Sequence, residues 1–122
     1  MTARKATVET YFEGFRQGDH ALVLSLLTDD IIWDLPGFRH LQGKSDFDGE
    51  IENDQFAGRP QLTVDRLVEE GDCVIAIGSG AATQISGEVF HFAFCDVFTF
   101  KGELIRRVES YLVALGDGST FS

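Results

Sequence analysis

The sequence predicts an α+β domain in which three N-terminal helices lie on the concave face of a cone-like, curled antiparallel sheet. Three observations carry that expectation. Apolar residues recur at helical spacing as far as Leu27, the period changes to two from Leu62 onward, and the later segments are parted by glycine-containing turns. Helices first and a strand meander afterwards is the order of an α+β layer arrangement. At 122 residues and 13.5 kDa the chain is expected to form one domain, 1–122, with a core large enough to enclose a small cavity.

Val8, Tyr11, Phe12 and Phe15 fall on one stripe of a first helix that Gly18 ends, and Asp19 then caps a second helix carrying Leu22, Val23, Leu26 and Leu27. Thr28-Asp29-Asp30 reads as a stop, Ile31 to Leu35 as a short strand, and Pro36-Gly37 as its close. Ser45 caps a third helix with Phe47, Ile51 and Phe56 inward. Strands follow at about Leu62–Glu69, Cys73–Thr83, Glu88–Phe100 and Glu103–Val113, with turns at Glu70-Gly71-Asp72, Ser86-Gly87 and Lys101-Gly102. Residues 116–122 read as a loose tail.

Of 14 aromatic residues 11 are Phe, so most of the aromatic surface lacks a hydrogen-bonding handle and belongs in a core or an apolar cavity. The strand Glu88–Phe100 organises it. Phe90, Phe92, Phe94, Asp96, Phe98 and Phe100 share one face, while Val89, His91, Ala93, Cys95, Val97 and Thr99 share the other. Both faces are largely apolar, which predicts that a second subunit covers the outer one, making a homodimer.

Ten basic residues against 20 acidic ones give a net charge of −10, which argues against nucleic acid or an anionic membrane as partner. The apolar-leaning stretch Cys73–Ala82 is about half the length a membrane-spanning helix needs. Two cysteines are too few for a disulfide framework, and the first residues lack an apolar signal core, so a cytoplasmic protein with free thiols is expected. No metal site is expected. The acids Asp46, Asp48, Glu50, Glu52 and Asp54 lack calcium-loop spacing and read as a solvated face, and His91 with Cys95 lacks further ligands for zinc. Gly78-Ser79-Gly80 is strand-internal and makes no phosphate loop or nucleophile elbow.

A two-residue turn at Lys101-Gly102 would pair Phe100 with Glu103, and so place Asp96 opposite Arg107, Phe94 opposite Glu109 and Phe92 opposite Tyr111. Tyr11 and Phe15 from the first helix, with Trp33 and Leu35 from the first strand, should face the same side. The expected cavity is therefore aromatic, with Tyr11, Asp96, Arg107, Glu109 and Tyr111 as its polar set and His40 at the rim. Tyr11, Asp96, Glu109 and His40 are the candidate acid, base or oxyanion groups. Phe15, Trp33, Leu35, Phe94, Phe98, Arg107 and Tyr111 are the candidate substrate contacts. Each has a plainer reading: Asp96 with Arg107 as a structural ion pair, Tyr11 as a core tyrosine, Tyr111 as wall, His40 as a solvated loop residue.

The segments YFEGFRQGD (Tyr11–Asp19), LLTDDIIWDLP (Leu26–Pro36), EEGDCV (Glu69–Val74) and DVFTFKGELIRRVESY (Asp96–Tyr111) carry a likeness over nearly the whole chain. By them the sequence resembles the SnoaL-like polyketide cyclase and ketosteroid isomerase branch of the nuclear transport factor 2-like superfamily. The resemblance implies a cystatin-like α+β barrel without a cofactor. It puts Tyr11 at the position of the isomerases' oxyanion-hole tyrosine and Asp96 at that of an aspartic acid kept protonated as a second donor. Leu35 stands where those enzymes carry their general-base aspartate, and Asp34 points to the opposite face.

Three functions are open at this point. One is a cofactor-independent isomerase, cyclase or dehydratase acting on an apolar, carbonyl-containing small molecule, with Asp96 a protonated donor beside Tyr11 or itself the acid/base. A second is a non-catalytic module that binds an apolar ligand. The third is an association-only dimer domain with a filled core.

Overall fold

The computed structural model describes residues 2–52 and 56–116. Thr2 caps helix α1 (Ala3–Gln17) by accepting from the Lys5 N–H, and Gly18 ends it in the left-handed region at φ 62°. The helix buries the stripe expected from its spacing, Val8, Tyr11, Phe12 and Phe15. Asp19 caps α2 (His20–Ser25) by accepting from the Leu22 N–H. This helix is shorter than expected, because Leu27 already opens strand β1 (Leu27–Leu35). Thr28-Asp29-Asp30, read above as a stop, thus lies inside a strand, where the register against β6 slips between Leu27 and Ile32. An irregular stretch of strand accommodates short polar side chains that a regular ladder disfavours.

The segment expected to be a loop around His40 is instead strand β2 (Arg39–Gln42), hairpinned to β1 with His40 opposite Asp34. Helix α3 (Lys44–Ile51) starts from Gly43 and not from Ser45, without a side-chain cap, and buries Phe47 and Ile51. Phe56 lies beyond the helix, bridged to Gln84. Two of the acids read as a solvated face in fact tie α2 to α3, since His20 Nδ1 donates to Asp48 at 2.6 Å and Nε2 to Glu52 at 2.7 Å. Hydrogen bonds to Asp48 and then to Glu52 raise the pKa of the ring. Asp54 and the tail residues 117–122 lie outside the described residues.

Strands β3 (Gln61–Glu70), β4 (Cys73–Thr83), β5 (Val89–Lys101) and β6 (Leu104–Leu115) form the expected meander. The six-stranded sheet has the order β2-β1-β6-β5-β4-β3. It is not wholly antiparallel, since β1 lies parallel to β6 while the other pairs are antiparallel. More than 60 residues separate β1 from β6, so no hairpin dictates their direction. The concave face receives α1: the Tyr11 and Phe98 rings meet edge-on at 4.9 Å, and Phe12 stacks on Phe94 at 5.4 Å.

The β5–β6 register departs from the expected one, and the departure decides the site. Gly102-Glu103 forms the turn, so Lys101 faces Leu104 and Phe100 faces Ile105. An extra residue then bulges at Arg106, with Arg106 and Arg107 both exposed between buried Ile105 and Val108, and Thr99 faces Arg107. From there Asp96 pairs with Ser110, not Arg107; Val97 pairs with Glu109 and Cys95 with Tyr111. Strand faces alternate with a period of two, so this shift of three positions turns Arg107, Glu109 and Tyr111 to the outer face and Ser110 inward.

Candidate functional site

Alternation along β5 puts Asp96 between Phe94 and Phe98 on the concave face, and helical spacing on α1 brings Tyr11 and Phe15 over it. Between them lies a cavity of about 240 Å³ whose walls include Phe12, Phe15, Trp33, Phe90, Phe92, Phe94 and Leu112. Its inner polar groups are Tyr11, Asp96 and Ser110, and Glu50, Glu52 and Arg59 also line it. Two strand glycines give the rings their room. A Cβ on Gly78 would sit 2.8 Å from the Phe94 ring and 2.0 Å from the Thr63 carbonyl oxygen, and one on Gly80 would sit 2.6 Å from the Phe92 ring. Gly78-Ser79-Gly80 is therefore a packing device of β4.

Asp96 is 7 % exposed, and its Oδ1 has no hydrogen-bond partner among the described residues. Burial pushes its pKa up to about 7, partly opposed by a hydrogen bond from the Ser110 hydroxyl. Tyr11, 2 % exposed, has its pKa raised well above the usual phenol value by burial and then by the charge of Asp96, so it stays protonated. Opposite the carboxyl, the Trp33 indole N–H donates to Ser110 Oγ at 2.9 Å. Trp33 is held by stacking on Phe47, with ring centres 4.7 Å apart.

Of the residues expected at the site, Tyr11, Phe15, Trp33, Leu35, Phe94 and Asp96 line the cavity. Phe98 is fully buried beneath Tyr11 and Phe12 and supports the wall from behind. Arg107, Glu109, Tyr111 and His40 do not join them: the register carries the first three to the outer face, and β2 holds His40 beside Asp34. There they form a cluster of their own. Arg107 donates to Asp34 at 2.6 Å, His40 Nδ1 donates to the other Asp34 oxygen, and the Tyr111 hydroxyl donates to Glu109 at 2.9 Å. The bond from His40, with that from Arg107, holds Asp34 below the usual carboxylate range. The proximity of a guanidinium to Asp96, expected from the sequence, is thereby overturned, and with it the electrostatic help toward ionisation that Arg107 would have given.

Ser110 is the polar cavity-lining residue that sequence reasoning missed. Its signal was the alternation of Val108, Ser110 and Leu112, legible once the bulge at Arg106 is counted. Chemically, the phenol can donate to a carbonyl or hydroxyl oxygen while a carboxyl titrating near neutrality gives or takes a proton nearby. Among the described residues no group of three or more His, Cys, Asp and Glu side chains is placed to hold a metal ion.

A family model described as a SnoaL-like domain matches residues 8–108. Solved structures of similar fold include an NTF2-like protein of unknown function from Burkholderia pseudomallei, at TM-score 0.84 and 20% identity over 93% of this chain and 92% of that one. A candidate polyketide cyclase from Xanthomonas campestris pv. campestris aligns at TM-score 0.81 and 22% identity, over 89% of each chain. An LEH-like epoxide hydrolase from M. tuberculosis aligns at TM-score 0.80 and 19% identity, over 91% of this chain and 83% of that one. Among curated proteins none matches. At these identities the structural likeness concerns the fold alone.

Proposed function

Because the chain belongs to the SnoaL-like domain family, we propose that it is a cofactor-independent enzyme that moves a proton within a compact, largely apolar carbonyl compound, as an isomerase, cyclase or dehydratase does. The observation that carries this reading is Asp96: a carboxyl buried in an aromatic cavity, with an oxygen left unpartnered and a pKa of about 7. A general base needs its pKa near the working pH. Asp96 removes a proton from the carbon beside the carbonyl; the C–H electron pair moves into the enolate, whose oxygen accepts a hydrogen bond from Tyr11. Asp96 then returns the proton at another atom of the same molecule. Asp96 thus takes on the role of the base that Leu35 cannot supply. The candidate cyclase and the epoxide hydrolase above support the reading only in that the same fold carries small-molecule chemistry in them.

A panel of small cyclic ketones and enones tests the reading. Asp96→Asn is expected to lower turnover by roughly 10²–10⁴-fold while the ligand-induced rise in melting temperature persists. Undiminished turnover in the variant refutes a catalytic Asp96, and melting shifts without turnover in the wild type favour a binding module.

The same reading includes a second copy of the chain. Val68, Val89, Tyr111 and Val113 are each 44–50 % exposed on the outer sheet face, which supports covering by a partner subunit. Light scattering at micromolar concentration is expected to give twice the 13.5 kDa of one chain, and a monomer mass refutes the dimer. No helix among the described residues is long and apolar enough to cross a membrane. Free Cys73 and Cys95 support a place in a reducing compartment such as the cytoplasm.

A further inference from the structure

The two acids at the mouth of the cavity have cationic partners of their own. Glu50 forms an ion pair with Arg39, and Glu52 Oε1 lies 2.7 Å from His20 Nε2. Arg59 is the one Lys or Arg among the described residues that line the cavity, and it forms no hydrogen bond or ion pair among them. Packing sets its place. Arg59 Nε lies so close to Gly18, at the end of α1, that a Cβ there would come within 2.9 Å of it. The Glu52 carboxyl shares that side of Gly18 without pairing to the arginine.

The interior and the mouth treat a negative charge differently. Inside, the walls are aromatic, and a second carboxylate would be desolvated beside the buried acid Asp96. At the mouth Arg59 is exposed, so a carboxylate there keeps part of its water and meets a guanidinium that can hold both its oxygens. A ligand that carries one negative charge is thereby oriented, charge outward and apolar body inward. About two turns of α1 separate Tyr11 from Gly18, roughly 10 Å along the helix axis.

We propose that the cavity takes elongated keto acids, with the carboxylate bound by Arg59 at the mouth and the ketone reaching Tyr11 beside Asp96. The proposal rests on the acid/base reading of Asp96 for the chemistry at the inner end, and narrows the substrates from carbonyl compounds at large to anionic ones of about that length. A flat body suits the space between the ends, since Phe12 with Phe94 and Phe90 with Phe92 stack as pairs along the wall.

A benzoic acid carrying a cyclohexanone ring para to its carboxyl group, with ketone and carboxyl at opposite ends, tests the proposal beside its own methyl ester. The two share one carbon frame and differ in charge. In calorimetric titrations at neutral pH the wild type is expected to bind the acid roughly tenfold more tightly than the ester. Arg59→Gln is expected to bring the acid down to the level of the ester and to leave the ester unchanged. Arg59→Lys, which keeps the charge without the planar fork, is expected to retain part of the preference. Lys44→Gln removes a charge that pairs with Asp29 and does not line the cavity, and is expected to retain all of it.

Equal affinity for acid and ester overturns the proposal, as does a preference that survives Arg59→Gln or falls as far in Lys44→Gln. Failure of the acid to bind at millimolar concentration overturns it too. The inner end is read separately, by deuterium exchange in heavy water: Asp96 takes a proton from the carbon beside the ketone and, after exchange with solvent, returns a deuteron to the same carbon. Binding that depends on Arg59 without exchange that depends on Asp96 supports the anion site and overturns the acid/base reading. Exchange that depends on Asp96, equally fast for acid and ester at equal affinity, supports the acid/base reading and overturns the anion site.

Discussion

Asp96→Asn is expected to melt higher than the wild type at pH 8, by on the order of 10 °C, and to show almost none of that advantage at pH 4. The carboxyl has a pKa of about 7 in the folded protein, against about 3.9 in an unfolded chain. Below pH 4 it is protonated in both states and adds no pH dependence. Between pH 4 and pH 7 the folded state keeps a proton that the unfolded state has released, so folding stability falls as pH rises. Above pH 7 the whole cost of burying the charge is felt, on the order of 3–4 kcal/mol. The amide carries no charge to desolvate and is spared this cost at every pH. Calorimetry of both proteins from pH 4 to pH 8 reads the difference directly, and His20, whose pKa is raised by its bonds to Asp48 and Glu52, is common to both and cancels in the comparison. A difference that does not vary with pH would show that Asp96 is not a buried weak acid. A stabilising substitution at the group proposed to carry the chemistry is the expected mark of a site that sacrifices stability for reactivity.

Phe47→Ala is expected to cost about 3–5 kcal/mol, a larger loss than truncation at the surface can cause. Phe47 is 1 % exposed and joins α3 to the rest of the molecule, stacking on Trp33 and lying 6.2 Å from the Tyr11 ring and 6.1 Å from that of Phe15. Its removal leaves a hole bordered by rings that cannot collapse into it without leaving their own partners. Urea unfolding midpoints of the wild type, Phe47→Ala and Phe38→Ala test this. Phe38 is 73 % exposed, and its truncation is expected to change stability by less than about 0.5 kcal/mol. Equal losses in the two variants would show that α3 is not anchored through Phe47.

Much of the fold was legible because its signals are local. The stripe Val8, Tyr11, Phe12 and Phe15 needs only helical spacing to define a buried face, and the alternation from Phe90 to Phe100 needs only the pleat. Tyr11 and Asp96 could therefore be brought together from the sequence, as could Phe15, Trp33, Leu35 and Phe94 around them. Strand β2 was not legible: Arg39-His40-Leu41-Gln42 has no strand pattern of its own and is extended because β1 lies beside it.

The sequence by itself thus determined which residues lie on each face of α1 and β5, and with them the aromatic cavity and its buried acid. Only the tertiary structure decided what stands opposite that acid. Which residue of β6 meets Asp96 depends on where the turn closes and on the extra residue at Arg106, and both are set by the fit of Ile105 and Val108 into the core. Because the faces of a strand alternate, that displacement exchanged Arg107 and Glu109 for Ser110. An expected ion pair became a buried carboxyl across from a serine, with one oxygen that has no hydrogen-bond partner among the described residues.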